Sequence, residues 1–342
     1  MFPPALQSAL GLLVFVLIAW GLSENRRAAN ARRVVMALVL QLGLALLFLK
    51  IPFFSGLFMA LNTAAKVLEA GTQAGTSFVF GYLGGGALPF AEPHPGAAYI
   101  FAFRGLPVIV VTSALAALLY HWKIIPVLVR GVSALLERTM GIGGALGVGC
   151  AANIFAGMIE SPLFVRPYMS IMTRGELFAL MTCGMATISG TVLVLYAGII
   201  GPVLPDALGH ILTASLISVP AALLVAGLMV PETGTPTRGR ISPPVETCGA
   251  MDAVVQGTAL GVKILINVVA LLVVLVALVS MVNQGLEFLP LMGGSAPTLQ
   301  RLLGYVMAPL VWLTGIPWSE AHAAGELMGT KIVLNELLAY LD

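Results

Sequence analysis

The sequence predicts an all-α polytopic membrane protein with six spanning helices and two re-entrant hairpins, an inverted-repeat transporter architecture whose second repeat is incomplete. Three observations predict it. Only 9% of the 342 residues are charged and 59% are hydrophobic, at a mean hydropathy of +1.00, whereas soluble domains carry about 25% charged residues. The apolar stretches are long and continuous, as in Ile264 to Val282, and do not alternate as barrel strands do. Two segments of membrane length are interrupted by glycine and polar residues, the pattern of hairpins at a transporter's midplane.

The first span is Ala5 to Leu22. It is followed by GLSENRRAANARR without a small-x-small cleavage site, and so reads as a retained helix. Val34 to Lys50 is the second span. Ser55 to Phe80 mixes apolar residues with Asn62, Thr63, Lys66, Glu69 and Gln73, which suits an amphipathic helix along the outer interface. Gly81 to Pro95 is an external loop, and Leu106 to Trp122 is the third span. These elements make up an N-terminal part, residues 1–140.

Residues 141–230 form the first repeat. Within Gly144 to Ser170, Asn153, Gly157, Glu160, Ser161 and Pro162 are poor material for a lipid-facing helix, and two half-helices meeting at a turn fit better. Glu176 to Ile200 and Ile211 to Val230 are the fourth and fifth spans. A cytoplasmic linker (231–255) leads to a scaffold helix (256–300) that contains the sixth span, Lys263 to Val282. The second hairpin occupies 301–342, where Trp318 to Asp342 carries Gly325, Gly329, Thr330, Lys331, Asn335 and Glu336.

Basic residues set the orientation. With the first loop in the cytoplasm and the first hairpin re-entrant, Lys50, Lys66, Arg104, Arg301 and Lys331 lie outside and the other twelve of seventeen inside, as the positive-inside rule requires. This expectation is a multi-pass protein of the bacterial inner membrane with a periplasmic N-terminus. The net charge of +2 indicates no partner, and there is no basic block suited to nucleic acid. Cys150, Cys183 and Cys248 have no CxxC spacing. No metal-spaced histidines, GxSxG or Walker loop occur, so the chain is not read as an enzyme and has no cofactor. Any energy coupling then comes from an ion gradient.

Glu160 is the most informative residue, because a carboxylate at membrane depth is costly unless it is paired, solvated or engaged with a ligand. Glu in a first turn and Pro162 just inside a helix start also favour initiation, and both readings hold together. The run TCGMATISGT, Thr182 to Thr191, admits either close helix packing or local unwinding that turns carbonyls toward a cation. Lys331 and Asn335, four apart, share a helix face, with Glu336 on an adjoining one. They form either a structural polar cluster or a ligand face.

At these residues the chain strongly resembles the concentrative nucleoside transporter family. AANIFAGMIESPLFVRPYMSIMTRGELFALMTCGMATISGTVLVLYAGIIG is similar to the family's first hairpin and broken fourth helix, and LGYVMAPLVWLTGIPWSEAHAAGELMGTKIVLNELLAYLD to its second hairpin. The resemblance implies a homotrimer that imports nucleosides with sodium or, in some members, protons, the solute lying between the hairpin tips. It implies base contacts from Met158, Ile159, Glu160 and Val192, and ribose contacts from Glu336. It implies sodium at Asn153, Ala156, Thr187 and Ile188, largely through main-chain or hydroxyl oxygens.

Two departures matter. The family's hairpin motif Gly-Gln-Thr-Glu-Ala/Ser-Pro-Leu has Met158 and Ile159 at its Gln and Thr positions here. Family members also continue past the second hairpin into two further helices, so a truncated chain is expected. The alternatives are the same fold carrying another small solute, or a non-transporting nucleoside-recognition membrane protein.

Overall fold

The computed structural model describes residues 3–341 except 29, 93, 95–96, 158–160, 205, 233, 238–246 and 289–296. Among the described residues every regular element is helical. The chain divides into two compact units, Leu22–Leu265 and Met1–Gly21 with Ile266–Asp342.

In chain order the helices begin with α1 (Pro4–Gly21), α2 (Ala31–Lys50), α3 (Pro52–Phe80), α4 (Phe101–Arg104) and α5 (Val108–His121). They continue with α6 (Ile124–Met140), α7 (Gly144–Ala156), α8 (Ser161–Val165), α9 (Arg174–Ala186), α10 (Gly190–Ile200) and α11 (Ala207–Met229). The last are α12 (Ala250–Leu286), α13 (Leu299–Leu313), α14 (Trp318–Val333) and α15 (Glu336–Leu341).

Five stretches among the described residues are long and apolar enough to cross a membrane: Ala31–Lys50, Phe101–His121, Arg174–Ile200, Ala207–Met229 and Ala250–Leu286. Helix α1, with 18 residues, sits at the short end of the spanning range of about 17–25. Five of the expected spans each coincide with one helix, the fourth coincides with the pair α9 and α10, and α3 covers the expected amphipathic segment.

Two elements differ from expectation. The stretch between the third span and the first hairpin, to which the sequence reading assigns no element, is a 17-residue helix, α6. Its ends are set by left-handed backbone at Lys123 and Gly141, and it buries Ile125, Val129, Leu136 and Met140 on one face. Helix α12 starts at Ala250, inside the stretch read as linker. The Asp252 carboxylate accepts from the Cys248 N–H at 2.9 Å and from Gln256 Nε2 at 3.0 Å, which satisfies donors at its N-terminus.

In the larger unit, α7 ends at Gly157, whose φ of +89° reverses the chain. Helix α8 then folds back along α7: a methyl on Gly149 would stand 3.6 Å from Val165 Cγ2. The base of this hairpin is fastened to α9. Thr173 and Glu176 form a capping box at the start of α9. The buried Glu176 carboxylate also accepts from the Thr237 N–H at 2.8 Å and the Thr237 hydroxyl at 2.7 Å. The carbonyl of Thr237 accepts from Ala145 N–H at 3.2 Å in the first turn of α7. One residue after α11 thus joins the N-termini of α7 and α9.

In the smaller unit, α13 and α14 are bent by 119° at Thr314–Pro317 and pack closely. A Cβ on Gly325 would lie 2.6 Å from the Gly304 carbonyl oxygen, and one on Gly329 2.8 Å from Leu303 Cβ. Small residues permit this backbone approach. Buried Gln7 and half-buried Ser8 of α1 donate to carbonyls past the end of α13, to Ile316 O at 3.0 Å and Thr314 O at 2.9 Å.

Candidate functional site

The first hairpin ends against a break in the fourth span. Between α9 and α10, Thr187, Ile188 and Ser189 are not helical. The break follows from local composition: β-branched Thr187 and Ile188 sit between Gly184 and Gly190, and serine favours a helix start. The unwinding reading of Thr182 to Thr191 describes this segment.

Tight backbone contacts join hairpin and break. A methyl on Gly157 would stand 2.4 Å from Ser189 Oγ, and one on Gly190 2.5 Å from the Phe155 carbonyl oxygen. Only glycine fits at either position without displacing backbone or a short side chain. Ser215 of α11 clasps the break by accepting from Ile188 N–H at 3.3 Å and donating to the Ile188 carbonyl at 3.4 Å. From α5, the Thr112 hydroxyl donates to Thr191 O at 2.7 Å.

Asn153 lies at the centre and is 1% exposed. Its amide nitrogen donates to Cys183 O at 3.2 Å and to the Thr187 hydroxyl. That hydroxyl in turn donates to Cys183 O at 3.1 Å. The Asn153 Oδ1 is buried and accepts no hydrogen bond in the structure. A buried, unpaired acceptor is costly and rare in native proteins.

Electrostatics favour a cation beside that oxygen. Helices α7 and α9 both end here, at Ala156 and Ala186, and each brings the negative end of its dipole. Their last carbonyls lack intrahelical partners. The oxygens the structure places here, Asn153 Oδ1, the Thr187 hydroxyl and the helix-end carbonyls, are neutral, and among the described residues no cluster of three His, Cys, Asp or Glu side chains could hold a metal ion.

The structure therefore brings together Asn153, Thr187 and Ile188, with α7 ending at Ala156. Val192 lies in the first turn of α10, half-buried, its N–H bonded to Ser189 O at 3.1 Å. Met158, Ile159 and Glu160 lie outside the described residues. Ser215 and Thr112 were missed by sequence reasoning; each is a buried hydroxyl on an otherwise apolar helix, which is the available signal.

In the smaller unit, α14 ends at Val333 and α15 starts at Glu336. Asn335 caps α15, its Oδ1 accepting from Leu338 N–H at 2.9 Å. The shared face of Lys331 and Asn335 is corrected: the chain leaves the helix at Leu334, so their four-residue spacing does not align them. Glu336 is half-buried in the first turn of α15, where a helix dipole favours a carboxylate.

Comparison with known proteins connects this geometry to a family. Residues 10–83 match the family described as Na+ dependent nucleoside transporter N-terminus, and residues 210–342 its C-terminus. Residues 102–203 match that described as Nucleoside recognition. The nucleoside permease NupC of Helicobacter pylori is 33% identical over 99% of this chain and 79% of its own length. The chain belongs to the concentrative nucleoside transporter family.

That family is one of transporters, not enzymes. The chain is 30% identical to sodium/nucleoside cotransporter 2 of Rattus norvegicus over 99% of its length, and spans 50% of that protein. Among solved structures, CNTnw in an inward-facing substrate-bound state is 36% identical with a TM-score of 0.86, the alignment covering 99% of this chain and 79% of that one. A variant of CNTnw in an outward-facing state gives 0.85 at 35% identity, covering 98% and 78%.

Proposed function

We propose that the protein is a sodium-coupled nucleoside symporter that imports nucleosides across the bacterial inner membrane by alternating access. The observation that carries this reading is the buried Asn153 Oδ1, without a hydrogen-bond partner where α7 and α9 both end. An oxygen acceptor between two negative helix ends suits a hard monovalent cation, and broken transporter helices use their carbonyl ends in this way. Asn153, Thr187 and the main chain at Ala156 and Ile188 hold the sodium ion.

On the substrate side, Met158, Ile159, Glu160 and Val192 meet the base and Glu336 accepts hydrogen bonds from the ribose hydroxyls. The topology proposed is six spans with two re-entrant hairpins and a periplasmic N-terminus, assembled as a homotrimer in the lipid bilayer. A proton, with Glu160 as carrier, is the other coupling ion the sequence admits. Relatives described as sodium/nucleoside cotransporters favour sodium.

The deciding experiment is accumulation of labelled uridine in vesicles holding the protein, with and without an inward sodium gradient. The expected result is accumulation above equilibrium that collapses when choline replaces sodium. No accumulation of any nucleoside under a sodium gradient overturns the reading, and uptake driven equally by a pH gradient alone overturns its choice of ion.

A further inference from the structure

A polar groove runs along α3 in the larger unit, and the sodium site does not use it. Asn62, Lys66, Glu69 and Gln73 recur at spacings of four, three and four, which places them on one helix face. That face is turned toward α10. Two open cavities lie there, of about 530 Å³ and about 240 Å³, and Glu69, Val194 and Gly198 line both. The wider falls within the range of small-ligand clefts, roughly 300–1,000 Å³, and the narrower just below it.

The charges around the groove are of both signs. Lys66 and Asp206 line the wider cavity, and Arg104 the narrower, where its guanidinium lies 5.2 Å from the centre of the Tyr99 ring. Among the described residues Lys66, Glu69, Arg104 and Asp206 form no ion pair with one another or with any other charge. Asn62 Nδ2 reaches Asp206 Oδ1 only at 3.5 Å. Gly198 lies beside Glu69: a methyl there would stand in ordinary contact with the carboxylate, at 3.4 Å.

The groove also leads somewhere. It extends from the α10–α11 turn, at Leu204 and Asp206, to Val194, two residues from Val192. On its other branch it reaches Val108, whose carbonyl accepts from the Thr112 hydroxyl that also bonds Thr191 O. Its inner end is therefore one helical turn from the start of α10. A cleft with a few convergent polar side chains is the usual form of a small-solute site.

We propose that this groove is a second, recruiting subsite for the transported solute, with Glu69 accepting hydrogen bonds from its hydroxyl or N–H groups. Unpaired charges of both signs suit a solute with no net charge and many donors and acceptors, which is the chemistry of a nucleoside; an anion or a cation meets repulsion from one set. The proposal rests on the reading of the chain as a nucleoside importer.

Two measurements on the full chain test it. Glu69→Gln raises the KM for uridine about fivefold to tenfold, with the maximal rate and the sodium half-saturation within about twofold of the parent. In a Cys248→Ser background, Asn62→Cys is modified by a membrane-impermeant cationic thiol reagent. Uridine slows that modification about threefold or more even without sodium, when the ion-dependent site is unloaded. An unchanged KM in Glu69→Gln, or modification indifferent to uridine, overturns the subsite while leaving the importer reading intact. A parent chain that accumulates no nucleoside overturns the importer reading itself.

Discussion

The side-chain amide of Asn153 donates to the hydroxyl of Thr187, tying the last turn of α7 to the first residue beyond α9. The two residues are 34 apart in sequence and both buried. Their pairing orients the Asn153 amide so that its oxygen, not its nitrogen, is left for a ligand.

Removing that oxygen is expected to act on sodium first. A hydrogen-bonding or ligating oxygen next to a charge is worth about 1.5–3 kcal/mol, which at about 1.4 kcal/mol per decade is a weakening of roughly tenfold to a hundredfold. Asn153→Ala should raise the sodium half-saturation of uridine uptake by that factor. Thr187→Val, which keeps the shape and loses the hydroxyl, should shift it in the same direction. A sodium dependence identical to the parent's in both variants would remove the assignment.

Substituting the glycines that join hairpin and break should separate close approach from mere flexibility. Gly190→Ala drives a methyl to 2.5 Å from the Phe155 carbonyl, and overpacking of this kind costs about 1–3 kcal/mol. Gly227→Ala is the control, since a Cβ there meets nothing within 4 Å and helix propensity favours alanine by about 1 kcal/mol. Thermal unfolding in detergent, followed by size-exclusion chromatography, should show Gly190→Ala melting lower than the parent and Gly227→Ala no lower.

The positions of the spans were legible because a bilayer demands about 20 consecutive apolar residues, and Lys263 to Val282 or Ile211 to Val230 can satisfy that demand in one way only. Helix α6 was not legible: Arg130, Glu137 and Arg138 made Ile124–Met140 too polar to read as a span, although its apolar face packs inward. The break at Leu334 escaped because the Lys331–Asn335 spacing looks helical in sequence. The site divides in the same manner. Polar residues at membrane depth announced Asn153 and Thr187, but their meeting depends on hairpin reversal at Gly157, which spacing alone does not encode. Only the resemblance placed them together beforehand.

Thr237 offers a stability prediction away from the transport site. Its N–H and hydroxyl both bond the buried Glu176 carboxyl group, so Thr237→Val leaves one buried acceptor without that donor. The expected cost is about 1–3 kcal/mol of stability. Thermal melts should fall for Thr237→Val and recover for Thr237→Ser, which restores the hydroxyl. Equal melts for valine and serine would show that the hydroxyl contributes nothing.

The acids of the two hairpins should behave alike in transport. Under the roles proposed for them, Glu160→Gln and Glu336→Gln each abolish uridine uptake while leaving the protein in the membrane at parental levels. Only Glu336→Gln should be insensitive to which ribose hydroxyl is missing, because its contact is with those hydroxyls. Competition by 2′-deoxyuridine and 3′-deoxyuridine against residual binding measures this. Uptake retained at parental rate in either variant rules out the ligand role of that acid.

Selectivity is the last consequence, and it turns on Met158 and Ile159. An amide and a hydroxyl at these two positions, as in the usual family motif, would discriminate base edges by hydrogen bonding. A site built that way rejects a mismatched analogue by orders of magnitude, while an apolar pocket discriminates by only about 10–200-fold. With methionine and isoleucine the protein should therefore accept a broader set of bases. Competition of labelled uridine uptake by uridine, cytidine, adenosine, guanosine and inosine should give inhibition constants spread over no more than about two decades. The double substitution Met158→Gln with Ile159→Thr should widen that spread by about tenfold or more, because unpaired amide and hydroxyl groups then penalise the wrong base. If the parent already separates these nucleosides by several decades, base recognition lies elsewhere and the two apolar side chains are only packing.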